Sequence, residues 1–164
     1  MKILLILRHA KSSLKDSSVP DHDRPLDELA EQDALLMGKL LRDRGLIPDF
    51  IMSSTALRAK TTTDLVVEGC KYREGKIIFE QSLYQAKPKD YMKILAGLSD
   101  RYVCILLVGH NPTVEEVIEI LTGPLEITMS PCALAYLNLP IENWIQLDKH
   151  ENNIRAELLG VLRL

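Results

Sequence analysis

Short uninterrupted apolar runs alternate along this chain with longer stretches in which apolar residues return every three or four positions. The run Ile3 to Leu7 stops at a charged pair, Arg8-His9, and predicts a strand covered on both faces, as in a parallel sheet. Residues 11–25 carry Ser12, Ser13, Ser17, Ser18, Pro20 and Pro25 and predict a loop. Ala30, Ala34, Met37 and Leu41 then recur at helical spacing, predicting a helix over 27–44 with Asp27 and Glu28 at its positive end and Gly45 just past its last turn. Phe50-Ile51-Met52 predicts a strand running into Ser53-Ser54, and a helix over 56–68 follows, ended by Gly69. Residues 76–79 predict a further short strand, and 89–98 a helix entered through Pro88 and closed near Ser99-Asp100. Tyr102 to Val108 is the clearest buried strand, turning at Gly109-His110-Asn111-Pro112 into a helix over 113–121 with Glu115 and Glu116 in its first turn. The remainder changes character: 133–139, 144–147 and 154–159 predict short strands of a meander or sheet edge.

Strands alternating with helices over the first 122 residues imply an α/β fold with a mostly parallel sheet. The length of 164 residues suits one domain spanning 1–164 and is short for two. A hydrophobic content of 46% supplies enough apolar material for a core and excludes global disorder. The net charge of -3 argues against nucleic acid or an anionic membrane as the main partner, while leaving room for a small basic pocket. Cys70, Cys104 and Cys132 are odd in number and scattered, so neither a disulfide framework nor a zinc cluster is indicated, and a reducing cytoplasm is the natural setting. The apolar run after Lys2 is too short for a signal core and has no small-residue cleavage site after it. No acidic metal cluster or H-E-x-x-H stretch appears, and no G-x-G-x-x-G follows the first strand, so neither a metal nor a dinucleotide cofactor is expected.

In a parallel sheet, ligands gather at the carboxyl ends of the strands. The ends here read Arg8-His9-Ala10, Ser53-Ser54 with Arg58 one helical turn on, and Gly109-His110-Asn111-Pro112. Any one of these taken alone reads better as a turn residue, a solvated residue or a surface ion pair than as part of a site. Together they place two histidines and two arginines on one sheet edge. Arginine forks suit the oxygens of a phosphoryl group, and a neutral imidazole can attack phosphorus and hold it covalently.

The same segments carry a resemblance. Arg8-His9-Ala10 resembles the signature of the histidine phosphatase superfamily, the phosphoglycerate-mutase-like fold. Asp21-His22-Asp23-Arg24-Pro25-Leu26 is similar to the D-x-D-R-P-L stretch of its small SixA-like phosphohistidine phosphatases, Ser53 to Thr61 to their S-S-x-x-x-R-A-x-T segment, and Val108 to Pro112 to their V-G-H-N-P. The resemblance covers essentially the whole chain and implies a three-layer α/β/α sandwich without a large cap insertion. It implies that His9 is the nucleophile, that His110 donates to the transferring phosphoryl group, and that Arg8 and Arg58 bind phosphate without a metal. Arg24 is assigned to phosphate or substrate, with bracing of the loop beside Pro25 an equal reading. His22 and His150 read as surface residues.

Two positions depart from the pattern. Ala30 stands where many relatives have glycine, and Gln85 stands where many have the glutamate that protonates the leaving group. Glutamine cannot act as an acid, which leaves Glu80, Asp21 and Asp23 as substitutes. The function that the resemblance implies is a cytoplasmic phosphatase of phosphohistidine, on a signalling or phosphotransfer protein, acting through a covalent phosphohistidine intermediate. An imidazole depends less on a strong acid than an alkoxide does when it leaves, so Gln85 favours phosphohistidine over a sugar phosphate. The partner is a phosphorylated protein or small phosphorylated substrate, and the oligomeric state is left open. The alternatives are a small-molecule phosphomonoesterase and, from another class, a non-catalytic phosphoprotein-binding module. Retention of both His9 and His110 speaks against the last.

Overall fold

The structure, a computed structural model, describes residues 1–73, 75–148 and 154–164. Its strands are β1 (Lys2–Arg8), β2 (Phe50–Ser54), β3 (Lys76–Glu80), β4 (Cys104–Gly109), β5 (Leu134–Leu139) and β6 (Glu157–Leu162), and its helices α1 (Glu28–Asp43), α2 (Leu57–Cys70), α3 (Pro88–Ala96) and α4 (Thr113–Thr122). The strands form one sheet in the order β3-β2-β4-β1-β5-β6. β1, β2, β3 and β4 pair in parallel, while β5 runs antiparallel to both β1 and β6.

Alternate residues of the central strands bury on opposite faces. Leu4, Ile6, Ile105 and Leu107 pack with Tyr91 and Leu95 of α3 and Val114, Val117 and Ile118 of α4. Leu5, Leu7, Leu106 and Val108 pack with Ala30, Ala34, Met37 and Leu41 of α1 and Ala59 and Val66 of α2. The continuous apolar runs therefore read as they do because helices cover both faces, which makes a three-layer α/β/α sandwich. None of the described helices is long and apolar enough to cross a membrane.

This topology creates the site. β1 and β4 are neighbours, with Arg8 opposite Gly109. The chain leaves β1 towards α1 on one face and leaves β4 towards α4 on the other. Adjacent strands whose connections diverge to opposite faces leave a crevice at their carboxyl ends. His9 and His110 are the first residues past those ends. β2 lies on the other side of β4, with Ser53 opposite Val108, and brings Ser54 and Arg58 to the same edge.

Three expectations are corrected. Residues 144–147 are not a strand. Trp144–Asp148 is a 3₁₀ turn, because Asp100 Oδ1 accepts the Trp144 N–H at 2.8 Å and Gln146 Oε1 accepts the N–H groups of both Glu142 and Asn143 at 2.9 Å. The strand expected over 154–159 forms over 157–162 instead, since the Ala156 N–H is taken by the Leu121 carbonyl at the end of α4. Gly69 does not end its helix. It lies inside α2, where an added Cβ would stand 2.2 Å from the Leu35 carbonyl, and Lys71 closes the helix in the left-handed region with φ 55°. The glycine serves the close approach of α2 to Gly38 of α1, not a turn. Ala30, the departure from the glycine of many relatives, is buried against the sheet within α1.

Candidate active site

The sheet edge brings Arg8, His9, Arg58 and His110 together. His9 is 8% exposed. Its backbone N–H donates to the Gly109 carbonyl, and its own carbonyl accepts from Cys132, each at 3.1 Å, so neighbouring segments hold it from both sides. Its ring Nδ1 stands 2.7 Å from the Ala10 carbonyl. A carbonyl only accepts, so Nδ1 carries the proton and Nε2 keeps its lone pair. Arg58 Nε donates to that same Nε2 at 3.3 Å, which agrees. Burial pushes the His9 pKa down to about 4. The Ala10 carbonyl opposes the shift, and repulsion from Arg58, Arg8 and Arg24 adds to it.

Arg58 lies in the first turn of α2 and is 7% exposed. Its Nη1 donates to the Asp21 carbonyl at 2.6 Å and its Nη2 to Asp21 Oδ2 at 3.1 Å. The Tyr84 hydroxyl donates to the same Oδ2 at 2.7 Å, and Arg24 Nη2 reaches Oδ1 at 2.9 Å. The Tyr84 hydrogen bond holds the Asp21 carboxyl below its ordinary value; desolvation is the next largest influence and opposes it, and the hydrogen bond and charge of Arg58, then the charge of Arg24, add to the lowering. Asp21 is thus a fixed anion at the mouth of the site. Thr62 supports this wall, donating to the Arg58 carbonyl at 2.6 Å and accepting the Ala10 N–H at 3.0 Å.

Arg8 points towards the segment before β5, its Nη1 donating to the Met129 carbonyl at 2.9 Å. Asn111 Nδ2 donates to the same carbonyl at 3.0 Å and to Glu115 Oε1 at 2.8 Å, while the Met129 N–H donates to Glu115 at 2.6 Å. Glu115 thereby fixes the peptide that orients Arg8. On the opposite wall, His110 Nε2 lies 2.8 Å from Ser54 Oγ. The His9 and His110 rings are 5.0 Å apart between centroids. Burial first, then His9 and Arg58, push the His110 pKa down to about 3.

Buried N–H donors without partners among the described residues are concentrated here: Arg8 Nε and Arg24 Nε, joined by the unpartnered ring nitrogen His110 Nδ1. Unsatisfied buried polar groups are costly, and a bound anion is one means by which donors among them are satisfied. The cleft above has a volume of about 560 Å³ and includes Asp21, Arg58, Tyr84, Gln85, His110, Asn111 and Glu116 in its lining. Among the described residues no group of three or more His, Cys, Asp or Glu side chains could hold a metal ion.

The proposed proton donors separate. Glu80 does not line the cleft and accepts from Ser82 N and Oγ at 3.1 and 2.7 Å, so it caps its own turn. Asp23 faces His22 at 3.2 Å, and Asp21 is held ionised. Gln85 does line the cleft, its Nε2 donating to the Tyr84 hydroxyl at 3.4 Å. His22 departs from its expected place: it is half-buried, bonds Thr55 Oγ1 through Nε2 at 3.0 Å and packs edge-on against Tyr84. His150 lies outside the described residues. Sequence reading missed Tyr84, Ser54, Asn111, Met129 and Glu115 as partners of the site; only the position of Ser54 at a strand end and of Glu115 in the first turn of a helix hinted at them.

No protein-family model matches the chain. An uncharacterized chloroplastic protein of Arabidopsis thaliana is 32% identical over 151 residues, covering 86% of this chain and 68% of that one. An uncharacterized protein of Mycobacterium leprae is 34% identical over 120 residues, 71% of each chain. Among solved structures, a candidate phosphohistidine phosphatase SixA from Agrobacterium tumefaciens superposes with a TM-score of 0.83 and 27% identity, covering 99% of this chain and 98% of the other. The protein histidine phosphatase SixA in complex with tungstate gives a TM-score of 0.79 at 18% identity, over 98% and 96% of the two chains, a likeness of fold. With the Arg8-His9 edge and the diverging β1 and β4, the chain has the fold of the histidine phosphatase superfamily and is similar over nearly its whole length to the SixA structures of that superfamily.

Proposed function

We propose that this chain hydrolyses phosphohistidine on a protein of a signalling or phosphotransfer system, through a phosphorylated His9 and without a metal. The observation that carries the reading is the state of His9: buried, neutral, with Nδ1–H given to Ala10 and the Nε2 lone pair unprotonated, accepting the Arg58 Nε–H that a phosphoryl group would draw away. Attack of Nε2 on phosphorus breaks the bond to the substrate imidazole, which leaves with its electron pair and takes a proton from solvent. Water then displaces phosphate from His9, its oxygen joining phosphorus and its surplus proton passing to the phosphate or back to solvent, and the lone pair is restored. Arg8 and Arg58 neutralise the phosphoryl oxygens, and His110 donates to the charge that the transition state concentrates. Arg24 holds Asp21 and keeps an unpartnered Nε, so both of its expected roles, bracing the loop and contacting phosphate or substrate, stand in this reading.

Substrate class follows from the leaving group. Gln85 occupies the cleft where an acid would serve an alkoxide, and the nearby Asp21 is held as a carboxylate. Glu116, which also lines the cleft, favours the second reading, a small-molecule phosphomonoesterase, because an exposed carboxyl there can protonate a departing alcohol. A phosphohistidine protein, a sugar phosphate and an aryl phosphate compared by kcat/KM separate the two. Rapid quench with labelled phosphohistidine protein should trap an acid-labile phosphoenzyme that His9→Ala lacks. Stable His9→Ala activity, or activity lost in chelator and restored by a divalent ion, would overturn the reading.

A further inference from the structure

We propose that Ser54 is a positioning residue: its hydroxyl donates to Nε2 of His110 and so places the ring proton on Nδ1, facing the incoming phosphoryl group. The inference rests on the role given above to His110 and identifies the group that makes that role chemically available.

A count of hydrogen-bonding capacity carries the argument. Ser54 is fully buried at the end of β2. Its Oγ already accepts the Ala56 N–H at 3.2 Å. The hydroxyl has one proton to give, and His110 Nε2 at 2.8 Å is its acceptor among the described residues. His110 is held neutral, so one ring nitrogen carries a proton and the other does not. Suppose Nε2 held that proton. It would donate to Ser54, the serine hydroxyl proton would have no acceptor, and Nδ1 would offer a bare lone pair. Both groups would be buried and unused, and the lone pair would repel the oxygens of a phosphoryl group. Suppose instead that Ser54 donates. The serine is then satisfied on both sides, Nε2 is satisfied, and the group left over is an Nδ1–H. Nδ1 is the ring nitrogen that has no partner among the described residues. One arrangement leaves two groups stranded; the other leaves one donor, and it belongs to a residue that lines the cleft.

The strand register explains why a serine can do this. β2 and β4 pair in parallel with Ser53 opposite Val108, so Ser54 reaches the ring that begins one residue past the end of β4. A second tie fixes the backbone there: Tyr91 Oη accepts the His110 N–H at 3.4 Å and donates to the Leu83 carbonyl at 3.2 Å. The ring position is thus set by α3 and the ring tautomer by β2.

The test reads the tautomer directly. In ¹⁵N-labelled wild-type protein at neutral pH, the His110 ring should show a pyrrole-type, proton-bearing Nδ1 and a pyridine-type Nε2. In Ser54→Ala the pattern should move towards protonated Nε2. The same variant should lose activity on the order of tenfold in kcat with little change in KM, below the roughly 10²–10³-fold typical when a transition-state donor is removed outright, because the tautomer is freed and not reversed. Ser54→Thr, which keeps the hydroxyl, should restore both the ring pattern and kcat. A wild-type His110 protonated on Nε2 overturns the proposal whatever the activity, and needs no variant to fold. An unchanged ring pattern in Ser54→Ala overturns it equally. Full activity in His110→Ala would instead remove the proposed role of His110, with the tautomer measurement standing apart from it.

Discussion

Arg58 donates its Nε–H to the Nε2 of His9 at 3.3 Å, so the guanidinium proposed to bind the phosphoryl group also rests on the lone pair proposed to attack it. Its two Nη groups meanwhile hold Asp21. The three contacts use the planar fork of an arginine in three directions. A lysine ammonium has no such geometry. Arg58→Lys should therefore lower kcat/KM on the order of 100-fold, comparable with loss of an oriented donor to the transition state, even though the charge is kept. Steady-state kinetics with circular dichroism as a folding control decide it; less than a threefold loss would show that charge alone suffices.

Asp21 is the anion that Arg24 and Arg58 hold, with Tyr84 as its third partner. On the proposed function, a phosphoryl group would share the guanidinium with it or push it aside. Asp21→Asn removes the competing charge and should tighten tungstate binding a few-fold in isothermal titration. The same change loosens Arg58 and should lower kcat. Weaker tungstate binding in Asp21→Asn would mean that orientation of the arginines outweighs competition for them.

The buried histidines make stability depend on pH. His9 titrates near 6.5 when unfolded and is held to about 4 in the folded chain. Between those values the unfolded state binds more protons, so stability is complete above pH 6.5 and falls as pH drops towards 4. The His9 share is on the order of 3 kcal/mol if fully expressed. His110, pushed to about 3, adds a decline of the same sign that extends to lower pH. His110→Asn should flatten the fall in Tm measured from pH 7 to pH 4. Equal slopes in wild type and variant would show that His110 takes up protons in the folded state as readily as in the unfolded one.

Gly69 offers a test of packing. Inside a helix, alanine is favoured over glycine by about 1 kcal/mol. At this position the added Cβ would meet the Leu35 carbonyl at 2.2 Å and Gly38 Cα at 3.0 Å. Forcing α1 and α2 apart should cost about 1–3 kcal/mol net, as overpacking does. Urea unfolding of Gly69→Ala should show a lower midpoint; a raised midpoint would mean that the helices separate freely.

These residues also show what the chain reveals before it is folded. β1 and β4 are legible because helices cover both their faces and leave runs with no polar break, and their ends deliver His9 and His110 to one edge. The helical role of Gly69 is not legible, since it depends on α1 lying against it. The turn at 144–148 is decided by Asp100, more than forty positions away, and by Gln146 turning back on its own backbone. The start of β6 is set by Leu121 taking the Ala156 N–H. The site divides in the same way. Arg8, His9 and His110 come from strand ends, but Met129, Glu115 and Ser54 join them through contacts that only the closed fold creates.

In the proposed function, Gln85 bears on the choice of substrate. Its backbone is in the left-handed region, φ 54°, and its side chain lines the cleft beside Tyr84. Gln85→Glu keeps the side-chain length and asks nothing new of the backbone, so its effect reports on chemistry. Breaking an alkyl phosphate leaves an alkoxide that needs a proton as the bond parts, and a positioned acid contributes roughly 10²–10⁴-fold to such steps. Phosphohistidine releases an imidazole, which needs that proton less. Wild-type protein should therefore prefer phosphohistidine and aryl phosphates over sugar phosphates. Gln85→Glu should raise kcat/KM for sugar phosphates more than for phosphohistidine. The gain should be greatest at acidic pH and fade as pH rises, because the new carboxyl donates only while protonated. Gln85→Ala separates the acid from mere removal of the amide: it should leave the order of substrates unchanged. Equal wild-type turnover of sugar phosphates and phosphohistidine would place the proton donor elsewhere. Glu116, the other exposed carboxyl lining the cleft, would then be the residue to replace, and Glu116→Gln should abolish the sugar-phosphate activity while sparing phosphohistidine.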